Sequence, residues 1–179
     1  MRHSIKSIIS AARRTVRLTA SAMVAALALA SCSGHDDVDV DGITYSIDTD
    51  STATAVAVAQ GKGDTKDGRL AVRQIVNAGK LTCTVTAIAP EAFRDCAWIK
   101  SVTIPSSVEE IGKGAFSGCS GLTELHCQVI GPLEVDSTVF TGVDADKCRL
   151  YVPLASGTSY ASAPVWAQFN ISEEGSPAK

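Results

Sequence analysis

Few side chains in this sequence are of a type that does chemistry. Beyond residue 31 there are two histidines, His35 and His126, and His126 directly precedes Cys127. A histidine beside a cysteine can act as the base that generates a nucleophilic thiolate. Consecutive residues of a strand point to opposite faces, however, so we do not expect His126 and Cys127 to meet. No hydrolase or phosphate-loop motif is present either, and we predict no catalytic residue and no enzymatic activity.

Residue types that bind metal ions are present, but their spacing is poor. The cysteines beyond Cys32 form no Cys-x-x-Cys pair and suit no zinc site. An Asp-x-Asp-x-Asp-Gly run over residues 37–42, with Asp48 at the twelfth place, imitates a calcium loop. The second interpretation is an acidic tether that runs into a first strand, because valine and isoleucine alternate there. We favour the tether and predict no metal site and no cofactor.

Residues 88–110 and 111–133 repeat one another at a spacing of 23 residues. Every matched position is small or apolar, whereas the positions between are mostly polar and differ. Stacked turns of a solenoid require this pattern, because each turn must present the same inward residues to its neighbours. The predicted repeat core consists of Ile88, Phe93, Cys96, Val102, Ile104, Ile111, Phe116, Cys119, Leu125 and Cys127.

Each repeat contains a segment in which apolar and polar residues alternate, and this alternation predicts a short strand. Val102, Leu125 and Leu150 form one predicted inward column, and the next column contains Ile104, Cys127 and Val152. The side chains between them point outward to a concave sheet face. These outward side chains are the candidate binding residues: Ser101, Thr103, Glu124, His126, Arg149 and Tyr151.

Residues 85–127 resemble the BspA-like leucine-rich repeat, through SVTIPSSVEEIG at 101–112 and IGKGAFSGCSGLTEL at 111–125. With more degenerate ends, the resemblance extends over most of residues 42–172. It implies a mainly β, short leucine-rich-repeat solenoid with tight helical turns on the convex side and irregular caps. Two regular repeats are fewer than the three that stability usually requires, so the ends must act as further repeats and caps. The family's usual ending also offers a second role for Tyr151, packing under the C-terminal cap.

The first 31 residues have the pattern of a targeting segment. Residues 1–17 are basic and residues 18–30 are apolar; thirteen helical residues span roughly 20 Å, too short to cross a membrane of roughly 30 Å. The sequence Leu29-Ala30-Ser31-Cys32 resembles the lipobox of bacterial lipoproteins, which implies that Cys32 is lipidated and anchors the chain to a membrane.

The acidic residues that follow Cys32 carry a second targeting resemblance. Ser33-Gly34-His35-Asp36-Asp37 is similar to the export signal of Bacteroides-type surface lipoproteins, although a solvated acidic linker is the alternative. The predicted location is the outer membrane, probably facing the cell exterior in the sense that this signal implies. The predicted organisation is a lipoprotein signal peptide over 1–31, an acidic tether over 32–41, the repeat domain over 42–172 and a C-terminal tail over 173–179.

Charge excludes one class of partner. Residues 32–179 carry 11 basic and 19 acidic residues, a net charge of −8, which leaves no basic surface for nucleic acid. Proteins of the resembled family are described as adhesins and host-protein binders. The predicted function is therefore a lipid-anchored surface module whose concave face binds an extracellular protein or glycan; the alternative is a structural or accessory subunit of a bacterial surface complex.

Two further features stay open at the level of sequence. Cys96 and Cys119 occupy equivalent positions of adjacent repeats, so either they are small buried core residues or they form a disulfide, which an exported protein permits. Glu109 and Glu110 form a corner between repeats, and we expect both carboxylates to be solvated.

Overall fold

The computed structural model describes residues 36–48, 56–60 and 67–174. The predicted signal peptide over 1–31, the lipidation site Cys32 and residues 175–179 of the predicted tail lie outside these ranges. Among the described residues, no helix is long and apolar enough to cross a membrane.

Strands dominate the described part of the chain, and the one helix in it is short. In chain order the elements are β1 Asp36–Val40, β2 Ile43–Asp48, β3 Val56–Gln60, β4 Arg69–Ala71, β5 Ile75–Ala78, β6 Leu81–Ile88, β7 Ser101–Ile104, β8 Glu110–Ile111, β9 Glu124–Cys127, β10 Arg149–Pro153, α1 Gly157–Ser162 and β11 Asn170–Glu174.

Five of these strands form one parallel sheet, in the order β11-β10-β9-β7-β4. Their pairing places Leu70, Val102, Leu125, Leu150 and Ile171 in a single in-register column of inward residues. This register confirms the inward column predicted from the repeat spacing. The chain is thus a β-solenoid, and each of its turns, here called a rung, contributes one strand to this sheet.

The convex side of the solenoid is also held by backbone hydrogen bonds between rungs. The amide of Phe93 donates to the carbonyl of Ala115 at 2.8 Å, and the amide of Phe116 donates to that of Val139 at 3.0 Å. Within a rung the convex segment forms successive turns, in which Arg94 N donates to Glu91 O and Cys96 N to Phe93 O. Such i,i+3 bonds are the tight helical turns predicted for this side.

One glycine column shows how closely the rungs approach on the convex side. Gly118 has φ +78, and a Cβ at this position would lie 2.2 Å from Oδ1 of Asp95 in the preceding rung. Asp95 itself has φ +59, and Gly142 in the following rung has φ +82. The backbone is therefore left-handed at the same place in three consecutive rungs, which favours glycine there.

A stack of aromatic rings fills the interior beneath the convex side. Phe93 and Phe116 lie with their ring centroids 5.4 Å apart, and Phe116 and Phe140 with theirs 5.7 Å apart. Trp166 and Phe169 then pack edge-on against Phe140 and close the stack. The two phenylalanines predicted to be equivalent thus belong to a column of three, whose C-terminal end is covered by the cap.

The N-terminal cap begins earlier than the sequence indicates. Residues 36–40, predicted as tether, form β1, which pairs antiparallel with β2 through a turn at Asp41 and Gly42. Both turn residues have positive φ, 53 and 77, as a type I′ hairpin requires. The carboxylates of Asp37 and Asp39 accept hydrogen bonds from Ser46 and Thr44 across the hairpin.

This hairpin excludes the calcium-loop interpretation. A calcium loop curls its alternate carboxylates around one ion, whereas a straight strand holds them in a row. Over the described ranges, no group of three or more histidine, cysteine or acidic side chains is placed to hold a metal ion. Behind the hairpin, the buried Tyr45 hydroxyl accepts a hydrogen bond from the Arg73 amide at 3.0 Å, and burial raises the pKa of Tyr45.

The C-terminal boundary also differs from the prediction. Strand β11 pairs in parallel with β10 up to the pair Pro153 and Glu174, so residues 173 and 174 are part of the sheet rather than of the tail. None of the five cysteines in the described part of the chain, all of them buried, forms a disulfide. Burial raises the pKa of the Cys119 thiol to about 12, as expected for a core cysteine.

Glu110 corrects the expectation of a solvated corner. Glu109 is exposed, but Oε2 of Glu110 in β8 is buried without a hydrogen-bond partner. Burial raises the pKa of this carboxyl above its ordinary value. The charged form therefore costs stability in the folded protein.

Removal of either ring from the phenylalanine column should destabilise the protein strongly. Phe116 is fully buried between two rings, and phenylalanine-to-alanine changes in a core cost about 3–5 kcal/mol. We expect Phe116→Ala to lower the melting temperature more than Phe93→Ala, which loses one stacked ring. The control is Ile130→Ala, because this side chain is 86% exposed. Near-wild-type melting of both phenylalanine variants would contradict the stacked arrangement.

Glu110→Gln should stabilise the protein at pH 7, because it removes a buried charge and keeps the shape of the side chain. Since the pKa of Glu110 is raised in the folded state, the gain should shrink as the pH falls, and vanish below about pH 4.5, where the unfolded carboxyl is also protonated. Thermal unfolding of wild type, Glu110→Gln and the exposed control Glu109→Gln from pH 4 to pH 8 measures this. An equal effect of the two substitutions would refute the assignment.

Candidate binding groove

The outward face of the parallel sheet forms an open groove of about 990 Å³. Five of the six candidate binding residues line it, namely Ser101, Thr103, Glu124, His126 and Tyr151, whereas Arg149 lies at its border. The groove therefore brings the predicted residues together on one surface. The buried residues of the same strands alternate with them and fill the core.

The first outward column contains the charged residues. Arg69, Ser101, Glu124, Arg149 and Asn170 lie side by side, each paired in register with the next. Arg69 and Asn170 come from strands that the repeat did not predict. The column thus carries two arginines and one glutamate across five strands.

The second outward column forms the middle of the groove. In register it contains Ala71, Thr103, His126, Tyr151 and Ser172. The rings of His126 and Tyr151 are stacked, with centroids 4.5 Å apart and an angle of 11° between their planes. Tyr151 is half-buried within this column, so its ring packs on a neighbour in the groove rather than under the C-terminal cap.

Two carboxylates flank the stacked pair. Nδ1 of His126 lies 3.3 Å from Oε2 of Glu174, and Nε2 lies 3.8 Å from Oε2 of Glu124. The contact with Glu174 joins β9 to the terminal strand β11 across the face of β10. Glu124 is turned toward His126, and no ion pair joins any described residue to Arg149 or to Arg69.

An apolar border lies on the opposite side of the groove from the arginines. Ile130 follows β9 and is 86% exposed, and Leu154 follows β10 and is 63% exposed. Large aliphatic side chains at such exposure are unusual unless they contact a partner. Sequence reasoning missed both, because neither occupies a repeated position; their signal is only that each follows the end of a repeat strand.

The groove holds no nucleophile. Cys127 is buried on the opposite face from His126, and its Sγ lies 3.2 Å from the hydroxyl of Tyr160. Burial raises the pKa of this thiol, so the thiolate is disfavoured. The arrangement of charged, aromatic and aliphatic side chains on a sheet face suits recognition of another molecule.

The comparisons with known proteins agree with this architecture. A family model described as BspA type leucine-rich repeat region, in six copies, matches residues 76–151. No curated protein matches the chain. A leucine-rich repeat protein from Bacteroides capillosus ATCC 29799 is 19% identical, with a TM-score of 0.47, over 78% of this chain and 99% of its own.

Two longer solved structures also resemble the chain. A leucine-rich repeat protein from Bacteroides ovatus ATCC 8483 is 19% identical, with a TM-score of 0.44, over 79% of this chain and 42% of its own. A leucine rich cell surface protein from Faecalibacterium prausnitzii A2-165 is 18% identical, with a TM-score of 0.42, over 79% of this chain and 31% of its own.

Proposed function

Residues 76–151 form a BspA type leucine-rich repeat region, and from this premise we propose that the protein is a non-catalytic surface module that binds an extracellular protein through its concave groove. The observation that carries the proposal is the division of each strand. Inward residues repeat from rung to rung, whereas the outward residues of the groove differ in size and charge. Stacking constrains the inward side chains alone, so the outward ones are available for recognition.

The size of the groove sets the strength expected of one copy. Five strands about 4.8 Å apart and about four residues long cover roughly 300 Å². A stable protein interface uses about 800 Å² from each partner. A single groove should therefore bind weakly, and many copies on one surface would strengthen binding through multivalency.

We propose that a lipid on Cys32 supplies this surface display. The motivation is the lipobox-like Leu29-Ala30-Ser31-Cys32 after a short apolar segment. Strand β1 begins only four residues after Cys32, so an anchored chain would hold the repeat domain close to the membrane. Outer-membrane placement facing the exterior, as the acidic residues after Cys32 imply, would give the groove access to extracellular proteins or glycans.

Binding should depend on the groove and not on stability. Full-length protein in liposomes is tested for capture of immobilised extracellular matrix proteins and host glycans. The double variant Arg149→Ala, Tyr151→Ala should reduce capture at least tenfold while its melting temperature stays close to wild type, because both side chains point outward. Arg94→Ala, an exposed arginine on the convex side, is the matched control.

Three outcomes would contradict the proposed function. Capture that survives the double variant would place binding elsewhere, and early melting would show that these side chains support the fold. Co-purification of a stoichiometric bacterial partner from membranes, with no capture of extracellular molecules, would favour an accessory subunit of a surface complex.

Cys32→Ser should release the protein from membranes or leave its signal segment uncut, because serine offers no thiol for lipidation. Membrane fractionation and the intact mass of the protein measure the two results. Ser31→Ala keeps a small residue before the cysteine and should be processed normally. Unchanged fractionation and mass of Cys32→Ser would rule out the anchor.

A further inference from the structure

The two arginines of the first outward column are available to an anionic partner. Both Arg69 and Arg149 are exposed and have no ion pair among the described residues. Glu124 lies beside Arg149 in register, but its carboxylate is turned to His126. The remaining neighbours, Ser101 and Asn170, are neutral. In a domain of net negative charge, these unpaired cations mark the place where an anion is favoured.

The register also sets the distance between the two cations. Arg69 and Arg149 are separated by three strand spacings, through Ser101 and Glu124. Three spacings amount to about 14 Å. An extended peptide rises about 3.3 Å per residue, so side chains four residues apart span about 13 Å. Two acidic side chains of an extended segment therefore match the two arginines when they are four residues apart.

The opposite border of the groove selects the other side chains of such a segment. Ile130 and Leu154 follow neighbouring strands and present exposed aliphatic surface. In an extended peptide, side chains alternate between its two sides. If the acidic residues face the arginines, the residues next to them face the aliphatic border. Between the arginines, Glu124 disfavours a further acid at the central position.

We propose that the groove binds an extended peptide segment of a partner protein that carries acidic residues four positions apart and apolar residues at the two alternate positions between them. This inference rests on the proposed function and specifies its partner. A peptide fits better than a sugar chain, because sugars pack on open aromatic faces. Here His126 and Tyr151 cover one face of each other, and the groove is bordered by aliphatic side chains.

The probe is a synthetic peptide with the core glutamate–leucine–serine–leucine–glutamate, flanked by glycines and labelled for fluorescence polarisation. Full-length protein in detergent micelles should bind it, and binding should weaken as the salt concentration rises. Replacement of both glutamates by glutamine should weaken binding about tenfold or more, since hydrogen bonds to charged groups are strong. A peptide with its glutamates two positions apart should bind similarly poorly.

Matched variants of the protein locate the contacts. Arg69→Gln and Arg149→Gln should each weaken binding of the glutamate peptide about tenfold, and neither should alter binding of the glutamine peptide. Ile130→Ser with Leu154→Ser should weaken binding of both peptides. Arg94→Gln, on the convex side, should change nothing. The melting temperature of each variant is measured alongside, and all five substituted side chains are exposed.

Equal affinity for the glutamate and glutamine peptides would overturn the inference, as would unchanged binding by both arginine variants. Tighter, arginine-dependent binding of a uronic acid oligosaccharide would reassign the groove to an acidic glycan. If the peptide fails to bind while capture of a matrix protein still requires Arg149 and Tyr151, the inference is wrong and the proposed function stands. If capture itself is independent of these residues, the proposed function fails first.

Discussion

Each rung of this solenoid is held by backbone hydrogen bonds to the rungs beside it, on the concave and the convex side alike. Such stacking is possible only where successive rungs place side chains of matching size in the same inward position. The column from Leu70 to Ile171 and the rings of Phe93, Phe116 and Phe140 satisfy this condition. The left-handed backbone at Asp95, Gly118 and Gly142 follows from the same requirement, because the convex turns must also superimpose.

A stack of so few rungs must be closed at both ends, since an exposed terminal rung would leave apolar side chains and unpaired backbone in water. At the N-terminal end, the hairpin of β1 and β2 continues into β3, which pairs with β6. At the C-terminal end, Trp166 and Phe169 turn edge-on to Phe140, and Nε1 of Trp166 donates to the carbonyl of Leu133 at 2.8 Å. The caps thus replace the missing neighbours with side chains that do not repeat.

The same constraint explains why recognition is proposed on the concave face. Stacking requires the inward side chains to match, so the outward side chains of β4, β7, β9, β10 and β11 are the ones that vary freely. In the groove they form a charged column, a central pair of stacked rings and an aliphatic border. The contact between His126 and Glu174 also links the terminal strand to this face, so the C-terminal cap contributes directly to the groove.

The 23-residue repeat was sufficient to predict the solenoid, the inward columns and the six outward side chains, because equal spacing in the chain becomes equal position in a stack. The sequence also excluded a Cys–His pair, since neighbours on a strand face apart. Rungs of unequal length escaped prediction: Leu70 and Val102 are 32 residues apart, and Leu150 and Ile171 are 21 apart, yet each pair is adjacent. Arg69, Ile130, Leu154 and Glu174 therefore entered the groove only through tertiary structure, as did the burial of Glu110. Hydrogen bonding and packing between rungs decide which irregular segments dock beside the repeat, and no local pattern of the chain encodes that choice.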